Sequence, residues 1–200
     1  MKRLFDICLS GIGLIGSSPL WLLFSLAIKL QDGGPVFYGQ ERVGKGGIIF
    51  KALKFRSMIK NAEKETGPVQ AVENDPRVTK IGRIMRKTAM DELPQLWNIF
   101  RGDMSFVGPR ALRPKEKEVH GTDEQINIED VPGYYDRLKI RPGLTGIAQV
   151  YLPSDAPRWK KFEYDIRYIN NQSFLLDLKL IFLSFWITFR GKWESREKKV

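Results

Sequence analysis

An apolar run stretches from Leu4 to Leu30, with Lys2 and Arg3 before it and Lys29, Arg42 and Lys45 at or beyond its far end. Roughly 20 apolar residues suffice to cross a bilayer as a helix, so the run predicts a membrane-embedded element. Gly16-Ser17-Ser18-Pro19 interrupts it near the centre. Proline removes a helical hydrogen bond and kinks the chain, and serine hydroxyls can satisfy what it frees. Both ends are basic, and positive residues stay on the cytoplasmic side. A straight span would expose one basic end, whereas a helix broken at Ser18-Pro19 keeps both on one face. A signal peptide starts similarly, but no small-residue cleavage site precedes the next polar stretch. Asp6 lies inside the run, a costly position at mid-bilayer.

Beyond the turn Gln31–Pro35, the patterns are shorter. Val36–Tyr38 and Ile48–Phe50 predict strands around the loop Arg42–Gly47. Its GKGG lacks phosphate-loop spacing and predicts a hairpin turn. Lys54 and Arg56 fall on one side of an extended segment. Ile59–Lys80 is polar and turn-rich, a surface helix and loop covering the body. Thr79–Lys87 carries Ile81, Ile84 and Met85 at helical spacing. Asp91 then predicts an N-cap, Pro94 a first turn, and Leu93, Leu96, Trp97 and Phe100 one apolar face that stops at Gly102. That would set Asp91 and Glu92 at the positive, anion-favouring end of a helix. Leu112–Val131 is charge-rich and predicts a helix or variable loop. Phe174–Phe189 is apolar but too short, and with Asp177 and Lys179 too charged, to span. It packs in the core or lies along a membrane surface, with Trp186 and Trp193 at the interface. The tail from Arg190 is mostly basic, consistent with anionic headgroups or with ordinary solvation.

Two hundred residues suit one domain, and 42% hydrophobic against 28% charged residues exclude a disordered chain. The net charge of +10 suits nucleic acid, anionic lipid or a phosphorylated substrate without choosing among them. No nucleic-acid-binding motif accompanies it, and the apolar N-terminus argues against that partner. One cysteine, Cys8, and one histidine, His120 in a polar surface stretch, exclude an internal disulfide and argue against a zinc site. No nicotinamide, flavin or haem motif is present.

Chemistry concentrates in Arg86–Arg110, RKTAMDELPQLWNIFRGDMSFVGPR. Read alone, its acids are caps and its arginines surface pairs. The string DELPQLWNIFRGDMSFVGPR from Asp91, the KFRSM at Lys54–Met58, and RPGLTG with Gln149 closely resemble the bacterial sugar transferases that are monotopic phosphoglycosyl transferases. The likeness extends over nearly the whole chain, including the Ser18-Pro19 break of a re-entrant helix. With no further membrane domain ahead of Met1, the expectation is one of the smallest members. One departure is Ala111, where the family usually has proline after Arg110.

The resemblance implies an enzyme that moves a sugar-1-phosphate from a UDP-sugar to undecaprenyl (polyprenol) phosphate and releases UMP. It implies Asp91 as nucleophile and Mg²⁺ as cofactor, with Asp91 as its ligand. Glu92 would position the acceptor phosphate or act as an acid–base group. Lys54, Arg56, Arg86, Arg110, Arg141 and Gln149 would bind substrate, and Tyr135 and Arg137 lie where sugar selectivity is set. The expected architecture is helix-rich mixed α/β, a membrane-associated single domain with interfacial amphipathic helices. Residues 1–30 form the membrane-embedded re-entrant helix, and residues 31–200 the cytosolic catalytic domain with a membrane-surface C-terminal helix. The expected location is the bacterial inner membrane, with anionic lipid as a further partner. A non-catalytic basic scaffold of a polysaccharide-assembly complex is the alternative, and the intact Asp91-Glu92 pair argues against it. Sequence leaves the sugar, pathway and oligomeric state open.

Overall fold

The computed structural model describes residues 1–60, 62, 75–120, 124–190 and 199. Helix α1 (Lys2–Gly16) meets α2 (Ser18–Asp32) at Ser17, with Pro19 in the first turn of α2. Ser18 Oγ donates to the Ile15 carbonyl at 2.8 Å, and Ser17 Oγ accepts from Trp21 Nε1 at 3.0 Å. The serines thus satisfy groups at the break, as expected. Among the described residues no single helix is long and apolar enough to cross a membrane. Helices α1 and α2 together are, with a bend of 56° between them.

Both ends of this bent pair are fastened to the rest of the protein. Lys2 Nζ donates to Asp177 at 2.6 Å and to the Tyr168 hydroxyl at 2.7 Å. Arg3 donates to the Ile99 and Phe100 carbonyls, capping a later helix. Asp6 is buried, and its Oδ1 accepts from Ser105 Oγ and the Phe106 amide, each at 3.1 Å. The acid that looked costly in a bilayer is a buried acceptor inside the protein. At the other end, Phe24 and Ile28 of α2 pack on Phe55 and Met85, and Arg56 pairs with Asp32.

Strands β1 (Phe37–Val43) and β2 (Ile49–Phe55) form the predicted hairpin, each longer than the sequence suggested. Gly46 and Gly47 make its turn at positive φ. Helix α3 (Lys80–Lys87) is capped by Thr79, whose Oγ1 accepts from the Gly82 amide at 3.0 Å. A short helix, α4 (Gln95–Arg101), follows and stops at left-handed Gly102 (φ 100°). Leu96 and Ile99 enter the main core with Met104, Phe106, Val150, Tyr168, Leu180 and Ile187. Trp97 and Phe100, expected on that same face, are half-exposed and stack on each other at 5.8 Å. Helix α4 packs against α1, where a Cβ on Gly13 would come within 3.1 Å of the Leu96 side chain, a tight contact.

β3 (Ser105–Val107) lies parallel to β6 (Gly143–Thr145), with β4 (Lys117–His120), β5 (Glu124–Asn127) and α5 (Tyr134–Arg137) between them in sequence. The β4–β5 hairpin replaces the expected helix or loop. Gly108 and Gly143 are required because their backbones touch: a Cβ on Gly143 would lie 2.1 Å from the Gly108 nitrogen. The first glycine of RPGLTG thus serves a close approach to the Gly108-Pro109-Arg110 loop. α6 (Ile147–Tyr151), α7 (Arg158–Asn170) and α8 (Phe174–Phe189) complete the chain. Helix α8 buries Asp177, Leu180 and Ile187 and exposes Leu175, Phe182, Phe185, Trp186 and Phe189. Packing in the core and presenting an apolar outer face are thus both true of it. Trp193 and nearly all of the basic tail lie outside the described residues, as does most of the expected cover between Ile59 and Lys80.

Candidate active site

The acid pair does not cap α4. Chain direction changes at Ala89, which adopts a left-handed conformation (φ 53°), and Met90–Glu92 then form a single 3₁₀ turn. Pro94 occupies the position before α4 in helical geometry, where its missing N–H leaves no orphan donor. A non-glycine residue at positive φ is uncommon and carries strain, and here it immediately precedes the pair. Asp91 and Glu92 are only 7% and 6% exposed.

The positive field at the pair comes from side chains rather than from a helix end. Lys54 on β2 places its ammonium 2.6 Å from Glu92 and 3.9 Å from Asp91. Arg110 reaches Glu92 from the loop after β3, at 3.1 Å. Burial pushes the Glu92 carboxyl up, but Lys54 and Arg110 together outweigh it and hold the group below the usual carboxylate range. Glu92 is therefore held as a carboxylate, a state that suits charge pairing better than proton donation. Its ionised form stabilises the fold above the ordinary glutamate value of about 4.3, and that contribution is lost as pH falls through the depressed folded-state value.

Asn98 is the residue that the sequence reading missed. From α4 its Oδ1 accepts from the Leu53 amide at 2.9 Å, and its Nδ2 donates to the Lys51 carbonyl at 2.8 Å and to Asp103 at 3.0 Å. It ties the helix after the acid pair to the strand that carries Lys54. Asn98→Leu strands these backbone groups, and destabilisation of about 2–3 kcal/mol in chemical denaturation is expected. No local pattern marks such a residue. A buried asparagine in an apolar helix, NIF, was the available signal.

The structure brings Lys54, Asp91, Glu92 and Arg110 to one point. Arg86 stands in the last turn of α3, just ahead of the pair. Arg56 lies two residues beyond Lys54 but pairs with Asp32 at the end of α2, and its Nε and Nη1 have no hydrogen-bond partner among the described residues. Arg141 stands at the opposite end of α4, where its Nε donates to the Gly102 carbonyl at 2.8 Å. The side-chain amide of Gln149 is buried with neither atom bonded among the described residues. Arg137, expected near a selectivity region, is buried against Asp165 at 2.7 Å. Tyr135 is exposed.

No group of three or more acid, histidine or cysteine side chains able to hold a metal occurs among the described residues. Two adjacent carboxylates fit Mg²⁺ nonetheless, because that ion takes one or two carboxylates and completes its shell with water and substrate phosphate. Beside Pro94 lies an apolar cavity of about 440 Å³ lined by Leu14, Trp21, Phe37, Leu53, Pro94 and Trp97. The site thus combines a buried carboxylate pair with fixed cations. The recess is lined by none of these four residues and meets the hairpin through Phe37 and Leu53, on the face opposite to Lys54.

A family model described as bacterial sugar transferase matches residues 1–191. The exopolysaccharide production protein ExoY of Sinorhizobium fredii is 38% identical over 195 residues, covering 90% of this chain and 82% of its own. A UDP-glucose:undecaprenyl-phosphate glucose-1-phosphate transferase of Klebsiella pneumoniae is 40% identical over 196 residues, 96% of this chain but 40% of that protein. A UDP-N-acetylgalactosamine-undecaprenyl-phosphate N-acetylgalactosaminephosphotransferase of Aeromonas hydrophila is 41% identical over 185 residues, 91% of this chain and 42% of that one.

Proposed function

The chain belongs to the bacterial sugar transferase family and by homology is an undecaprenyl-phosphate sugar-1-phosphate transferase of exopolysaccharide synthesis; from that premise we propose that Asp91 carries the transferred group covalently. The observation that carries this reading is the buried Asp91-Glu92 pair held with Lys54 and Arg110 at one point.

An Asp91 oxygen attacks the β-phosphorus of a UDP-sugar, forming a carboxyl–phosphate bond as the bridging oxygen leaves with UMP. A phosphate oxygen of the polyprenol phosphate then attacks the same phosphorus. The carboxyl–phosphate bond breaks, Asp91 is regenerated, and the sugar is left on a polyprenol diphosphate. Two displacements replace one difficult step. Repulsion between a carboxylate and a diphosphate is the obstacle, and fixed cations offset it without reorganising. Lys54 and Arg110 fill that role, and Arg86, in the last turn of α3 ahead of the pair, is the further cation for the donor. Glu92, held ionised, keeps both cations in place. Asp91, with Glu92 adjacent, would hold Mg²⁺, which supplies neutralisation of phosphate charge when bound. Gln149, whose amide has no hydrogen-bond partner among the described residues, suits an edge of the uracil base. Arg56 contributes by holding α2 to β2, and Arg141, bound at the far end of α4, is given no donor contact.

The acceptor is a lipid whose phosphate lies at the interface. The recess between Leu14, Trp21 and Trp97 would take part of its prenyl chain, with Pro94, which follows the acid pair in sequence, in its wall. Residues 1–30 enter and leave the inner membrane from the cytoplasmic face, and 31–200 form the catalytic domain on that face with α8 along the surface. This topology is supported by the fastening of both helix ends to one body, through Lys2, Arg3 and Asp6 at one end and Asp32 at the other. It is also supported by the exposed apolar residues of α1, α2 and α8. Ser18→Ala with Pro19→Ala straightens the pair into a span and moves a reporter fused at residue 1 across the membrane; a reporter that stays cytoplasmic overturns the topology.

The activity is tested with detergent-purified full chain, Mg²⁺, undecaprenyl phosphate and, separately, UDP-glucose, UDP-galactose and UDP-N-acetylgalactosamine. UMP release with at least one donor, dependent on the acceptor for sustained turnover, is expected. No release with any donor would favour the scaffold.

A further inference from the structure

We propose that Arg42 and Arg137 are positioning residues for Arg110: two guanidinium groups from separate elements that grip successive carbonyls of its loop and so fix where its side chain stands. The proposal rests on the reading of Arg110 as a donor-phosphate ligand.

The segment Pro109–Leu112 touches the sheet only through an isolated parallel bridge between Arg110 and Gly143, yet each of its four carbonyls is taken. The Pro109 carbonyl accepts from the Gly143 amide at 2.9 Å, and the Leu112 carbonyl from the Val43 amide at 2.9 Å. Between them, the Arg110 carbonyl accepts from Arg137 Nη2 at 2.8 Å and the Ala111 carbonyl from Arg42 Nη1 at 2.9 Å. Backbone thus secures the ends of the segment, and arginine side chains secure its middle. Beyond that single bridge no continuous ladder holds the middle of the segment, and the two guanidinium groups hold its carbonyls at Arg110 and Ala111.

Each clamp is itself anchored. Arg137 is 5% exposed, donates from Nε to Asp165 at 2.7 Å and lies over the Phe162 ring at 4.2 Å. Arg42 donates to the Gln40 side-chain oxygen. It lies on the face of the β1–β2 hairpin that also carries Lys54, since Tyr38 is opposite Lys54 and side chains two apart share a face. One hairpin face therefore presents Lys54 to Glu92 and Arg42 to the loop that presents Arg110 to the same carboxylate. Ala111 stands where the resemblance expects a stiffening proline, and Arg42 holds its carbonyl.

The electrostatics fit a role in placement rather than in neutralising an acid. Burial pulls the Arg42 guanidinium down to about 10, and the nearby Arg110 charge adds to the effect. Neither clamp forms an ion pair with Asp91 or Glu92 among those described. Such groups stand beside a like charge with the carbonyls between them accepting their hydrogen bonds.

The test is a double-mutant cycle on the full chain, Arg42→Met and Arg110→Met alone and together, reading UMP release from the three UDP-sugars above with undecaprenyl phosphate. Arg110→Met is expected to lower donor kcat/KM about 100-fold. Arg42→Met is expected to lower it about tenfold, through misplacement, in a protein that is somewhat less stable but fully folded at the assay temperature. Combined, the two should be no worse than Arg110→Met, because a positioning residue has nothing left to position. Penalties that multiply would overturn the proposal and leave the Arg110 reading standing. An Arg110→Met enzyme with wild-type rate would instead remove that reading, and the positioning role with it. Should Arg42→Met fold poorly, Arg42→Lys serves: it keeps one donor for the Ala111 carbonyl, and partial recovery of rate in a folded protein is expected. A folded Arg42→Lys with the full Arg110→Met defect would count against positioning.

Discussion

Asp91→Asn is expected to abolish transfer, a loss of about 10⁴-fold or more, while the fold survives. Asparagine matches aspartate in size, and the stronger contact of Lys54 is with Glu92 at 2.6 Å rather than with Asp91 at 3.9 Å. Removing the nucleophile should therefore leave Lys54, Glu92 and Arg110 assembled. Losses of this order follow when a covalent route is closed and only binding and charge stabilisation remain. UMP release measured beside thermal unfolding checks it: activity should vanish with little change in the midpoint. A variant that retains more than about a hundredth of the rate would move the chemistry elsewhere.

The second large effect concerns stability and activity moving apart. Arg137→Met leaves Asp165 ionisable, buried and without its partner, and should destabilise the protein by about 3–5 kcal/mol. Burial pushes the Asp165 carboxyl up and the Arg137 guanidinium down, so the pair sits in a place that disfavours both charges. Arg137→Met with Asp165→Leu should thus recover most of the stability, since apolar residues of similar volume often replace a buried ion pair at no cost. The Arg110 carbonyl would still lack its donor. Recovered denaturation midpoint with transfer still about tenfold low is the expected pairing of results. Recovery of both would make Arg137 a packing residue and nothing more.

What the sequence disclosed depended on how local the cause was. Pro19 lacks an N–H wherever it stands, so a break could be placed close to it; the structure sets it at Ser17, with Ser18 and Pro19 in the first turn of α2. Gly102 stops α4 and Gly46-Gly47 turn the hairpin for equally local reasons. The acid pair was found, but its setting was not. Ala89 at positive φ turns the chain before Asp91, and alanine gives no sign of that conformation. The β4–β5 hairpin was missed because Lys117–His120 and Glu124–Asn127 lack apolar alternation.

Within the site, Lys54 and Arg110 converge with the acids although their positions in sequence say nothing of that meeting. Arg56, two residues from Lys54, binds the end of α2 instead. Asp6 with Phe106 and Arg137 with Asp165 are pairings between distant segments, and no periodicity encodes them. Such residues decide whether the pair is held in place.

The most direct test of the central claim is the intact mass of the full chain incubated with Mg²⁺ and each UDP-sugar in the absence of lipid acceptor. The account predicts an increase of one phosphosugar, absent in Asp91→Asn and discharged when undecaprenyl phosphate is added. An unmodified mass with every donor, together with UMP released only once the acceptor is present, would contradict it and make the transfer a single displacement.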